Sequence, residues 1–270
     1  MEKDIKRDRK VEIVRKWYYR LALSGEYDDT FEEWLAGERV EIRDYFTDNA
    51  AENLLSALYQ CEALEQKFEE WGIDRSILDA TLLDIKIWTD IWHGLTGELG
   101  LMETGWMKNH FSGRLFRLGR LQFYMGRARH DIPERNIEKG MPVLDIHIPR
   151  GEALYYEACR ESIKEAIKFF EEKFPEFQYR CITCHSWLLD PTIRKFLKKE
   201  SNILAFQSLF DIVSTEESDA ALRFVLGWDT DRENLATKPA TSGLAEKIKD
   251  YALRGGKFYV PYAIVDESEL

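Results

Sequence analysis

Over the first hundred residues the apolar positions return every three or four places, the period of helices packed by one face. In VEIVRKWYYRL, Ile13, Val14, Trp17, Tyr18 and Leu21 form such a stripe beneath a basic face. Thr30 and Glu33 in TFEEWL have capping-box spacing and predict a second helix from Thr30. Asp74 predicts an N-cap for a longer helix that turns Ile77, Leu78, Leu82, Ile85, Trp88 and Trp92 inward and stops at Gly94. The aromatic residues of these stripes are assigned to the core, and His93 and His110, with no metal partner nearby in sequence, to structural or surface roles.

From about Arg114 the period changes to two. LQFYM sets Leu121, Phe123 and Met125 against Gln122 and Tyr124. PVLDIHIP, from Pro142 to Pro149, places Leu144, Ile146 and Ile148 on one face and Asp145 and His147 on the other. A turn with Pro149 and Gly151 leads into a helix of about five turns, with Tyr155, Cys159, Ile163, Ala166, Ile167 and Phe170 inward. Strand, glycine turn and long helix leave free backbone N–H groups at a helix N-terminus, which suits an anion. The run from Tyr179 to Leu189 reads as a two-sided buried strand, followed by a short helix opened by Asp190 and Pro191. SNILAFQSLF, capped by Ser201 or Asn202, follows, and RFVLGW, Arg223 to Trp228, is expected as a strand. A polar linker leads to a helix ended by Gly255 and Gly256 and to a last strand, KFYVPYAIV. The expectation is an α+β chain: a helical bundle over residues 1–112, then a mixed sheet flanked by helices over 113–270.

With 44% hydrophobic residues in 270, the chain has ample core material, which excludes a disordered or fibrous protein. No window approaches the roughly 18 apolar residues of a membrane span, and the charged start has no export pattern, so a cytoplasmic protein is expected. A net charge of −11 excludes a general nucleic-acid or anionic-membrane binder. Against that charge, Arg114, Arg117, Arg120, Arg127 and Arg129 form a basic island with no acid before Asp131. It suits a polyanionic small ligand, or it is a set of arginines paired with acids distant in sequence.

CITCHSW, from Cys181 to Trp187, has the C-x-x-C-H pattern of covalent haem attachment and half the pattern of a zinc site. Attachment of that kind follows export, and Cys61 and Cys159 stand alone, so no second ligand pair exists. The pair also lies inside an apolar run and not at a helix N-terminus, where a redox thiol would be activated. Buried, reduced cysteines are expected, and no metal site.

Five segments in order, LDIHIPRGEAL, the helix with KFFEEKFPEF, CHSWLLDP, SNILAFQSLF and TSGLAEKIKDYALRGGKF, resemble the bacterial two-domain acyltransferase family. That family joins an N-terminal helical acyltransferase domain to a C-terminal GNAT-like domain. The resemblance implies a GNAT-like sheet and an acyl-CoA co-substrate whose diphosphate sits at Ile148, Arg150, Gly151, Glu152 and Ala153, with Arg120 from the basic island as a further contact. The loop departs from the superfamily's usual one: Pro149 removes a donor, Glu152 adds negative charge, and Arg150 has to compensate.

Acyl transfer to an amine needs a base for the amine proton. Asp145 and His147 share a strand face about 7 Å apart. If that face lines a cleft, His147 is the best base, with an ordinary imidazole pKa of about 6.5; if it lies under a helix, both are structural. His185, on the neighbouring strand, is the next candidate. Cys159 and Cys184, both buried, are set aside as nucleophiles. Two functions stay open: an acyltransferase acting on an amine of a small molecule or a protein, or a GNAT-like protein without catalysis that binds a CoA-like or nucleotide-like ligand or a protein partner.

Overall fold

The computed structural model describes residues 2–37 and 40–270, with side chains from Arg7 onward. The chain divides into two units, one ending at Arg117 and the other running Leu118–Leu270.

In the first unit α1 (Glu2–Arg20) buries Val14, Trp17, Tyr18 and Leu21 as the stripe predicts. The Arg20 guanidinium lies 4.1 Å from the Trp17 ring centre and pairs with Glu65 and Asp79, so the helix's basic edge is neutralised where it meets the core. α2 (Asp28–Ala36) starts two residues before the predicted Thr30. Asp28 wins because its carboxylate accepts from both the Tyr18 hydroxyl (3.0 Å) and the Gly25 N–H (3.1 Å). Tyr18 also stacks on Phe31 with ring centres 3.7 Å apart. α3 (Ala50–Glu70), capped by Asn49, supplies the buried Leu54, Leu55, Leu58, Cys61 and Leu64.

The single helix predicted after Asp74 is two: α4 (Arg75–Leu82) and α5 (Asp84–Thr96). Thr81 explains the break, since its hydroxyl donates to the Ile77 carbonyl (2.7 Å) and accepts from the Arg117 N–H (2.8 Å), a local competitor for helix bonding. α5 passes Gly94 and stops at Gly97, whose φ of +76° lets its N–H reach the His93 carbonyl. In α6 (Thr104–Phe111), His110 is fully buried, with Nε2 3.1 Å from Asp84 Oδ2. That carboxylate also accepts from Trp106 Nε1. His110 is therefore structural.

The second unit is organised by a six-stranded mixed sheet in the order β1-β2-β3-β4-β6-β5, whose first strand begins three residues before the division. Its members are β1 (Leu115–Leu118), β2 (Leu121–Arg127), β3 (Pro142–His147), β4 (Ile182–His185), β5 (Phe210–Glu217) and β6 (Tyr259–Val265). Between β3 and β4, which are parallel, runs α7 (Tyr156–Lys173). It buries Cys159, Ser162, Ile163, Ala166 and Phe170; Tyr155, expected inward, is its exposed N-cap residue, because the chain has not yet turned onto the sheet there. Ser162 joins α7 to the sheet by donating to the Leu118 carbonyl and accepting from the Leu121 N–H.

Three further expectations change. β4 covers only Ile182–His185, and Trp187–Leu189 closes into a 3-10 turn because Ser186 caps it by accepting from the Leu188 N–H. RFVLGW is not a strand: α9 (Ala220–Leu226) buries Ala221, Leu222 and Leu226 on one helical face and ends at Gly227, with φ +121°. The strand in this region is β5, which follows α8 (Asn202–Gln207), capped by Ser201 as expected. α9, the 3-10 segment Pro191–Phe196 and α10 (Gly243–Leu253) share a core with Ile193, Leu235, Ile248 and Phe258. The basic island also dissolves, since Arg117 and Arg120 are buried in and beside β1.

Candidate active site

The sheet's two faces differ in chemistry. α7 lies over the face that bears Cys184, whose thiol burial pushes far above its ordinary value, with Cys159 of the helix adding to the effect. The other face carries Asp145 and His147 from β3, and the register Asp145↔Thr183 puts Thr183 and His185 of β4 on that same side. Pairing of His185 with Tyr262, and of Gln122 and Tyr124 with His147 and Asp145, extends this polar face to β6 and β2. The Asp145–His147 face is thus not the one beneath α7. It is covered in part by the segment from Ala128 to Met141, whose Ile132 and Ile137 pack with Val143, Cys181, Tyr262 and Ile264.

The β3–β4 ladder ends at Ile146↔Cys184. One residue further on, His147 is paired only towards β2 and His185 only towards β6. The two histidines are therefore the last residues of adjacent parallel strands, one position past the final pair between them. Immediately after β3 come Ile148, half-buried, and Arg150, Gly151, Glu152 and Ala153, all exposed. Gly151 has φ +117°, a conformation that suits glycine, and nothing occupies the space where a Cβ would stand. Arg120 reaches this loop from behind: Nε donates to the Ala153 carbonyl (3.1 Å) and Nη2 to the Glu152 carbonyl (2.6 Å). Its guanidinium braces the loop, a role that sequence reasoning could not supply.

Thr183 Oγ1 donates to Asp145 Oδ1 at 2.8 Å. Asp145 Oδ2 lies 3.6 Å from His147 Nε2 and 4.0 Å from Arg129 Nη2, so the buried carboxylate faces both groups. Burial pushes its pKa up, against the opposing pull of Thr183, Arg129 and His185. His185 Nε2 meets Glu216 Oε1 at 3.0 Å. Its imidazole is pushed below the ordinary 6.5 by burial and by Arg129, with Glu216, Asp145 and the hydrogen bond to Glu216 opposing. Glu216 and Tyr262 were missed from sequence, and Arg129 stands there only as part of the basic island. Strand register brings Glu216 of β5 and Tyr262 of β6 here, and the Ala128–Met141 segment brings Arg129.

An NMR titration of the ring should therefore find the His185 midpoint below 6.5, and Glu216→Gln should move it lower still, because the anion that favours imidazolium is gone. A midpoint that rises in the variant would mean Glu216 does not act on this ring.

The model of the N-acyltransferase N-terminal domain matches residues 7–113, and that of the GNAT-like C-terminal domain matches residues 115–265. The chain belongs to the two-domain acyltransferase family. Solved acyltransferases share the fold. One in complex with decanoyl-CoA is 25% identical with a TM-score of 0.73, over 93% of this chain and 86% of that one. Another, in complex with decanoyl-CoA and teicoplanin, is 22% identical with a TM-score of 0.73, over 94% and 87%. A mutant acyltransferase in complex with octanoyl-CoA is 22% identical with a TM-score of 0.74, over 94% and 88%. No curated protein matches the sequence. The GNAT-like sheet expected from the five sequence segments is the one found, and among the described residues no helix is long and apolar enough to cross a membrane.

Proposed function

We propose that this family member transfers an acyl group from an acyl-CoA thioester to an amine, with His147 as the base. The observation that carries the reading is the end of the β3–β4 ladder beside the β3–α7 loop, with two histidines on one polar face at that point. An opening there admits the donor's pantetheine arm, and Arg150 with the N–H groups of the loop holds its diphosphate. The amine nitrogen attacks the thioester carbon, His147 takes the amine proton, and the C–S bond breaks to release a thiolate that is then protonated. Asp145, 3.6 Å from the ring, stabilises the imidazolium as it forms. His185, held by Glu216, forms the opposite wall.

The donor-bound relatives support an acyl chain of medium length, and teicoplanin, present with decanoyl-CoA in one of them, is a reasonable first acceptor to try. Small-molecule and protein amines both fit the chemistry. A thermal-shift titration with CoA, acetyl-CoA and decanoyl-CoA, with ATP and NADPH as controls, tests the donor. Ligand at a hundredfold excess over Kd adds about 2.7 kcal/mol of stability. The shift should be selective for CoA compounds and abolished by Arg150→Glu. An equal shift with every polyanion would remove the donor site, and selective binding without transfer to any amine would favour a binding protein.

A further inference from the structure

The segment Pro191–Glu200 carries Arg194, Lys195, Lys198 and Lys199 against the single acid Glu200, on a chain of net charge −11. All four cations are exposed, and Lys247 of α10 extends the patch, its Nζ donating to the Phe196 carbonyl at 2.9 Å. Arg194 donates to Gln207 Oε1, and Lys195 Nζ lies 5.7 Å from the Tyr251 ring centre. None of the five forms an ion pair among the described residues, whereas Arg15, Lys16, Lys86, Arg232, Lys238 and Lys257 each do. Such a patch is an electrostatic footprint for a negative partner.

Its place in the fold narrows the partner. The segment leaves β4 just after His185 through the Trp187–Leu189 turn, and β3 and β4 are parallel, so the patch and the β3–α7 loop lie at the same end of the sheet. In that loop Pro149 lacks an N–H and Glu152 opposes an anion, so Arg150 carries most of the phosphate contact and a donor gains from a second anchoring surface. We infer that the patch docks an acidic carrier protein whose acyl group hangs on a phosphopantetheine thioester, the same reactive arm that CoA presents. The inference rests on the acyl-transfer reading of the site. A discrete acidic surface fits five cations; an extended anion such as DNA or an anionic membrane would also face the negative surface beyond them, within the screening length of about 8 Å.

The test measures binding of the whole protein to a decanoyl-loaded fatty-acid carrier protein and, separately, to decanoyl-CoA, at low and high salt. The expected result is salt-dependent carrier binding that weakens at least tenfold in Lys195→Glu/Lys198→Glu/Lys199→Glu, with decanoyl-CoA binding unchanged. The corresponding triple Gln variant should fall between them, which separates charge from folding. Decanoyl-CoA binding without carrier binding, or carrier binding equal in all variants, overturns the docking surface and leaves the acyltransferase reading in place. Failure of both donors removes that reading as well. Competition by a DNA duplex or by anionic vesicles as strong as that of free carrier would show an unselective patch and also overturn it.

Discussion

His147→Ala should lower the rate of acyl transfer by about 10²- to 10⁴-fold while changing donor binding little, since removing a general base leaves the arm and phosphate contacts in place. The location argues for this size of effect. His147 is the last residue of β3, on the polar face, one position beyond the last pair with β4, and its ring faces the buried Asp145 carboxylate. His185→Ala should cost less, because that ring is engaged by Glu216. The comparison is made in single-turnover experiments with saturating donor, so that chemistry is read apart from binding. If His147→Ala retains full transfer, the base lies elsewhere.

Asp190→Ala should destabilise the protein by about 3 to 5 kcal/mol, the combined cost of two bonds to a charged acceptor and two N–H groups left unpaired. Asp190 is fully buried. Its Oδ1 accepts from the Thr192 N–H and its Oδ2 from the Tyr259 N–H, both at 2.8 Å, so one carboxylate ties the exit of β4 to the entry of β6. Asn at this position keeps one acceptor and should lose about half as much. Urea unfolding reads the difference as a lower midpoint with an unchanged m-value. A loss below 1 kcal/mol would mean that water or backbone movement replaces both bonds.

Much of this architecture is legible in the order of residues. The α1 stripe, the alternation in β3, the Ser201 cap and the Asp190–Pro191 start all follow from local periodicity or capping, which a single segment contains. What escapes depends on partners far away in sequence. RFVLGW is a short apolar run, and only the core of Ile193, Ile248 and Phe258 beneath it makes it helical. β5 has an exposed, acid-rich pattern with little apolar signal and exists because β6 pairs with it. The site divides in the same way. Asp145 and His147 share a face by alternation, but Glu216 reaches His185 only through the β5–β6–β4 register. Arg120, read as an anion ligand, is drawn to two loop carbonyls that sequence cannot place beside it.

All four cysteines are free and buried, and burial pushes Cys159 and Cys181 up to about 11 and raises Cys61 and Cys184 well above the ordinary thiol value. A thiol reagent therefore meets a protein that is silent until it opens. Cys61 lies in the unit that ends at Arg117, and the other three lie in Leu118–Leu270. The sequence thus carries its own clock for each unit: the order in which the thiols are labelled gives the order in which the two units breathe, with no probe introduced.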